Sequence, residues 1–153
     1  MSQSFWLFGT FLTLVTDEKE TASHYDLVDG KLQPGVETPL HLHTKYSELI
    51  YVLEGEFTVY TDTRVAVMHR GESIFIPKNT PHVVAATGTS SARALTVASP
   101  SGFARLIRSV GRPGTFETAS EPDPIELEKF LSISEEIGDI ILGPPGSRPQ
   151  LKK

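Results

Sequence analysis

The sequence predicts an all-β domain, a sandwich or barrel of short strands, with helices appended toward its C-terminal end. Three observations carry that prediction. From Tyr25 to about Val97 the residues alternate with a period of two, in segments rich in Val, Ile, Thr, Phe and Tyr. Gly, Pro, Asn or Asp breaks the pattern at short intervals, so the strands are short and joined by tight turns. After Ser99 the period changes to three and four, the signature of helix. No helical crossover separates the strands, which excludes a parallel doubly wound sheet.

Taken in order, the chain opens with an apolar stretch from Phe5 to Val15 that has no Lys or Arg before it and is interrupted by Gly9, Thr10 and Thr13. It is too short to span a bilayer and lacks a basic leader, so it reads as a strand over 5–16 that packs on the domain. Strands follow at 24–28, 40–43, 48–53, 57–61, 64–69, 73–76, 82–86 and 92–98, a barrel core of about 22–99. Turns separate them at Asp29-Gly30, Pro34-Gly35, Glu54-Gly55, Arg70-Gly71, Pro77 to Pro81 and Thr87-Gly88. In the helical part, Phe103, Leu106, Ile107 and Val110 make one stripe, and Gly111 stands at the C-terminal cap. Asp123-Pro124-Ile125-Glu126 starts a second helix, whose buried stripe is Ile125, Phe130, Leu131 and Ile137 and whose end is Gly138. The expected layout is one domain over 1–153, with a helical extension over 100–142 and a flexible tail over 143–153.

Composition narrows the function. A chain of 153 residues is long enough to bury a real core. The net charge is -5 and the basic residues are scattered, which argues against a nucleic-acid partner. The absence of cysteine removes disulfides and thiolate metal sites and fits a cytoplasmic protein, and the short, interrupted N-terminal apolar stretch predicts no membrane partner. Exposed barrel edges together with the apolar N-terminal strand predict a homodimer.

The chemistry concentrates in the stretch HLHTKYSELIYVLEGE. In a strand, residues i and i+2 share a face, so His41 and His43 point one way while Leu40 and Leu42 point the other. Glu48 leads a strand face that continues with Ile50 and Val52, and a carboxylate there is costly unless it is paired or bound to a cation. His82 follows the turn at Pro77 to Pro81, with Val84 on its face. A lone histidine on a strand is ordinarily just a polar residue, but three of the five histidines fall into this one arrangement, and His24 and His69 do not. Three imidazoles and a carboxylate suit one divalent transition metal ion: Fe, Mn, Ni, Co, Cu or Zn. Four protein ligands on a six-coordinate ion leave two positions open for water, dioxygen or substrate, unlike a closed structural zinc site.

These residues carry a family resemblance. Gly35-x5-His41-x-His43-x4-Glu48-x6-Gly55 resembles the first cupin motif, and Gly71-x5-Pro77-x-Asn79-x2-His82-x3-Ala86 resembles the second, with fifteen residues between Gly55 and Gly71. Asn79 stands where the motif has glycine, at a turn position that requires positive φ, and asparagine tolerates that conformation best among the other residues. Ala86 replaces a motif asparagine that is not a ligand. Phe5-Trp6-Leu7-Phe8-Gly9, the segment from Pro100 to Pro113 and the closing Glu136 to Pro145 are similar to single-domain quercetin 2,3-dioxygenase-like cupins. The resemblance implies a double-stranded β-helix (jelly-roll) barrel with C-terminal helices. It also implies metal held by His41, His43, Glu48 and His82, with Glu48 doubling as general base toward an enol or flavonol. Ile50, Val52, Ile76 and Val84 would line a dry pocket for the small-molecule substrate, although any barrel core needs such side chains. Beside a dioxygenase stand two alternatives: a non-oxidative isomerase, cyclase or lyase, and a non-catalytic cupin that only binds metal or a small ligand.

Overall fold

Residues 3–118 and 127–153 are described by the computed structural model of the chain, and among them twelve strands and two α-helices are formed. The strands are β1 (Gln3–Leu7), β2 (Thr10–Thr16), β3 (Asp26–Leu32), β4 (Leu40–His43), β5 (Ser47–Glu54), β6 (Phe57–Thr61), β7 (Val65–Met68), β8 (Ser73–Ile76), β9 (His82–Ala86), β10 (Ala92–Ser99), β11 (Arg112–Pro113) and β12 (Asp139–Gly143). The helices are α1 (Phe103–Val110) and α2 (Leu127–Ile137). All pairings are antiparallel, and they build two sheets, β11-β1-β2-β3-β10-β5-β8 and β12-β4-β9-β6-β7. This is the all-β jelly-roll barrel with few helices that the sequence predicts.

The core lies between the sheets because each strand turns one alternating set of side chains inward. In β5, Glu48, Ile50 and Val52 are buried while Leu49 and Tyr51 face out. Ile50 and Val52 meet Phe57, Val59, Ile74 and Ile76 from neighbouring strands in the central cluster. A second cluster packs the β1–β2 hairpin and Val28 against Ala104 and Ile107 of α1. Asp26 anchors that helix: its Oδ2 accepts from the backbone N–H groups of Gly102 (2.9 Å) and Ala104 (3.0 Å), donors that no earlier turn of the helix can satisfy.

Several expectations change. The N-terminal stretch over 5–16 is a hairpin, with Phe8 (φ 49) and Gly9 (φ 77) as its two-residue turn. Asp29-Gly30 lies inside β3 and is not a turn; a Cβ on Gly30 would come 3.3 Å from Leu12 Cδ2, so glycine there serves a close approach between strands. Gly111 does cap α1, with an ordinary φ of -70; its lack of a side chain matters because a Cβ would stand 2.5 Å from Ile107 O and 2.8 Å from Phe5 Cβ. Phe130 and Ile137 are buried in α2, but Leu131 is exposed. The start proposed at 123–126, and Ile125 with it, lies outside the described residues. The helical extension over 100–142 is broken by β11 and ends in β12, whose backbone finds its partners on β4. Residues 143–153 form no regular element after Gly143, yet they are tied to the barrel. Arg148 pairs with Glu37 and stacks on Tyr60, and Lys152 pairs with Asp62 at 2.7 Å.

Candidate metal centre

Both sheets contribute to one inner face. In the five-stranded sheet, β4 carries His41 and His43, and the β4–β9 pairing sets His41 directly opposite His82. Glu48 arrives from the facing sheet, on β5 between Ala98 of β10 and Ile76 of β8. The turn before β9 is fastened to β4, since the Asn79 N–H donates to His43 O at 2.7 Å. Asn79 holds φ 64, the positive value the sequence requires of it.

The ligand-capable nitrogens of His41, His43 and His82 all lie within 4.8 Å of one another. Each ring is oriented from behind. His41 Nδ1–H donates to Pro39 O (2.7 Å), His82 Nδ1–H to Thr80 O (2.8 Å) and His43 Nδ1–H to Asp139 Oδ1 (2.5 Å). Two of those acceptors are carbonyl oxygens, which cannot donate, so the hydrogen must sit on Nδ1 and the Nε2 lone pair faces the cluster. Glu48 Oε2 is 3.1 Å from His82 Nε2 and 3.3 Å from His43 Nε2. His43 Nε2 has no hydrogen-bond partner despite being buried. Lone pairs thus face a carboxylate at hydrogen-bond distance, an arrangement that only an intervening proton or cation relieves. The three histidines can hold a metal ion, and the donor set fits one.

The electrostatics express the same conflict. Burial pushes Glu48 toward its neutral form, but His43 and His82 outweigh it and hold the carboxyl well below the usual range. Burial also disfavours a charged His43, yet Glu48 and Asp139 overcome it and raise its pKa to about 10. His41 goes the other way, to about 3, through enclosure first and then the neighbouring His82 and His43. Without metal, then, one proton on His43 stands in for the cation.

Two groups escaped the sequence reading. Asp139 binds His43 from β12, and Tyr46 donates its hydroxyl to Asp139 Oδ2 (3.2 Å) while its ring stacks on His43 at 4.2 Å. The visible clue was a lone acid in Gly138-Asp139-Ile140, far along the chain from the motifs. The cluster opens into a largely apolar cavity, with Ile50, Val84, Phe57, Phe8 and Phe130 among its walls. Of the four side chains expected to face substrate, Ile50 and Val84 line this cavity, while Val52 and Ile76 are packed in the central cluster and are not among its lining residues. His24 and His69 lie outside the site, His69 on the surface against Glu56.

A family model described as a cupin domain matches residues 29–98. A curated quercetin 2,3-dioxygenase of Bacillus subtilis is 29% identical over 69 residues, covering 45% of this chain and 20% of its own length. The chain thus spans about a fifth of that relative. The polyketide cyclase RemF of Streptomyces resistomycificus is 30% identical, with a TM-score of 0.53 over 60% of this chain and 65% of its own. A structure from Thermotoga maritima titled a predicted oxalate decarboxylase shares the fold at 21% identity and TM-score 0.57, over 60% of this chain and 80% of its own. No helix among the described residues is long and apolar enough to cross a membrane.

Proposed function

We propose that this chain, whose residues 29–98 match a cupin-domain model and which gathers three histidines able to hold a metal ion, is a metal-dependent cupin dioxygenase of the quercetinase kind. Its substrate is a flavonol or a related enolisable aromatic or polyketide-like compound. The observation that carries the reading is the facing of Glu48 Oε2 and the inward Nε2 atoms at the floor of an apolar cavity. A transition-metal dication held by His41, His43, Glu48 and His82 would supply Lewis acidity and a route for electrons from an enolate toward dioxygen.

The chain's own residues do the rest. Glu48 is ionised and sits beside the ligand nitrogens, so one carboxylate oxygen accepts the proton of an enolic hydroxyl brought to the centre. Ile50, Val84 and Phe57 exclude water from the space above it, and the rings of Phe8 and Phe130, 4.8 Å apart and edge to face, offer a wall for a planar substrate. Dioxygen consumption by metal-reconstituted protein against a panel of small flavonols tests the reading. Uptake that requires both metal and Glu48 supports it.

The likeness to a polyketide cyclase favours a second reading, in which the same cavity folds or isomerises a polyketide-like enol without oxidation. Turnover that proceeds equally well under anaerobic conditions would select it. Binding of such compounds with no product in either atmosphere would leave only a ligand-binding cupin.

A further inference from the structure

We infer that Asp139 is a positioning residue for the metal centre, a carboxylate that fixes the His43 ring and strengthens its donor nitrogen from outside the ligand set. The inference rests on the metal reading proposed above. Asp139 lies beyond the segment that matches the cupin domain, so nothing in the two motifs foretells it.

Four observations converge on it. Its Oδ1 accepts from His43 Nδ1–H at 2.5 Å, a charge-assisted contact in a buried setting. Its Oδ2 is 3.2 Å from the Tyr46 hydroxyl, so both oxygens are engaged and the carboxylate cannot swing away. The backbone registers it: in the β12–β4 pairing Asp139 stands directly opposite His43. Just before it, Gly138 at φ 81 turns the chain out of α2, and Gly138 O takes the Thr44 N–H at 2.8 Å and the Thr44 hydroxyl at 2.6 Å. A side chain on Gly138 would meet Thr44 Oγ1 at 2.5 Å and Lys45 Cγ at 2.6 Å, so with its positive φ this crossing favours glycine.

Charge explains what the contact does. Among the described residues the polar partners of Asp139 are His43 and Tyr46, with no Lys or Arg paired to it. Glu48 and Asp139 therefore place two buried carboxylates on either side of His43, and a dication held by the three histidines and Glu48 would offset them. A carboxylate behind an imidazole fixes its tautomer and raises its basicity as a ligand. At Nδ1, His41 and His82 are backed by carbonyl oxygens, so His43 is the one ring of the three given an anionic partner at that nitrogen.

The test is Co(II) titrated into metal-free protein, read as affinity and as the visible ligand-field spectrum, alongside melting of the metal-free forms. Asp139→Asn keeps the size and an acceptor oxygen but removes the charge. It is expected to bind Co(II) about 10- to 100-fold more weakly, with a displaced ligand-field band. Tyr46→Phe, which frees Oδ2 but leaves the charge, is expected to weaken binding less and to move the band in the same direction. Wild-type affinity and an unmoved band in both variants overturn the inference, whatever happens to their melting temperatures. Should Asp139→Asn fail to fold, Tyr46→Phe decides alone by the same two readings. Failure of wild-type protein to take up Co(II) at all overturns the metal reading as well, so the two failures are told apart.

Discussion

His41 and His82 stand directly opposite each other across the β4–β9 pairing, with ring centroids 4.3 Å apart. Their separation is set by backbone hydrogen bonds, so neither ring can be replaced by a shift of its neighbour. His41→Ala and His82→Ala are each expected to leave about a tenth of an equivalent of metal or less after reconstitution, as measured by elemental analysis. Stoichiometric metal in either variant would contradict the proposed ligand set.

Glu48 separates binding from chemistry. Glu48→Gln retains an oxygen that can ligate but loses the charge and the ability to accept a proton. Partial metal retention with turnover reduced by about 100-fold or more is expected, within the range of general-base contributions. Full turnover in the variant would refute the base role.

The metal-free protein should be most stable near neutral pH. The stability from the proton on His43 is fully present below its ordinary pKa of 6.5 and is lost as the pH climbs toward about 10. His41 acts on the acid side: with its pKa at about 3 it refuses a proton that the unfolded chain accepts, so stability falls as the pH drops below 6.5. Glu48 adds to the acid loss, because its lowered pKa contributes stability only above 4.5 and loses it as the pH falls toward the folded value. Bound metal takes the place of the His43 proton, so metal should flatten the alkaline side and its binding at neutral pH should release a proton. Melting curves at several pH values, with and without chelator, check both statements. An alkaline slope that metal does not alter would count against them.

Two motif glycines should differ in what they tolerate. Gly71 holds φ 85 with open space around it, so Gly71→Ala should cost about 1 kcal/mol from backbone strain alone. Gly55 holds φ 73, and a Cβ there would lie 2.8 Å from Ser91 O and 2.9 Å from Ala92 Cα. Gly55→Ala should therefore cost about 3 kcal/mol or more, strain and overpacking together. Denaturant unfolding of both variants ranks them, and equal losses would show that the β10 backbone yields.

Val84 tests whether the cavity is where substrate goes. It shares the inner face with His82, is half-buried and lines the cavity. Val84→Phe should fill the space above the cluster, leaving metal content unchanged while raising KM or abolishing turnover. Unchanged kinetics would move substrate binding elsewhere.

Much of this arrangement was legible in the sequence, and the reason is local. Strands β4, β6, β8 and β9 begin and end where alternation and turn residues place them, and alternation alone puts His41 with His43 and Glu48 with Ile50. What escaped depended on register between distant segments. Nothing near Gly30 announces that β2 and β10 flank it closely, and nothing near Asp139 announces β4. Ile50 and Val52 share one face of β5 and both belong to the packed interior, yet only Ile50 also lines the cavity, a difference that alternation cannot announce.

The placement of β12 also gives the site a timetable. A ribosome delivers both motifs and all four candidate ligands dozens of residues before it reaches Asp139. Until then the nascent barrel has β4 as a bare edge, and the His43 ring has no carboxylate to hold it. A metal ion reaching the half-made protein would meet an imidazole without that anchor, so the His43 ring is fixed only once the segment carrying Asp139 has docked on β4.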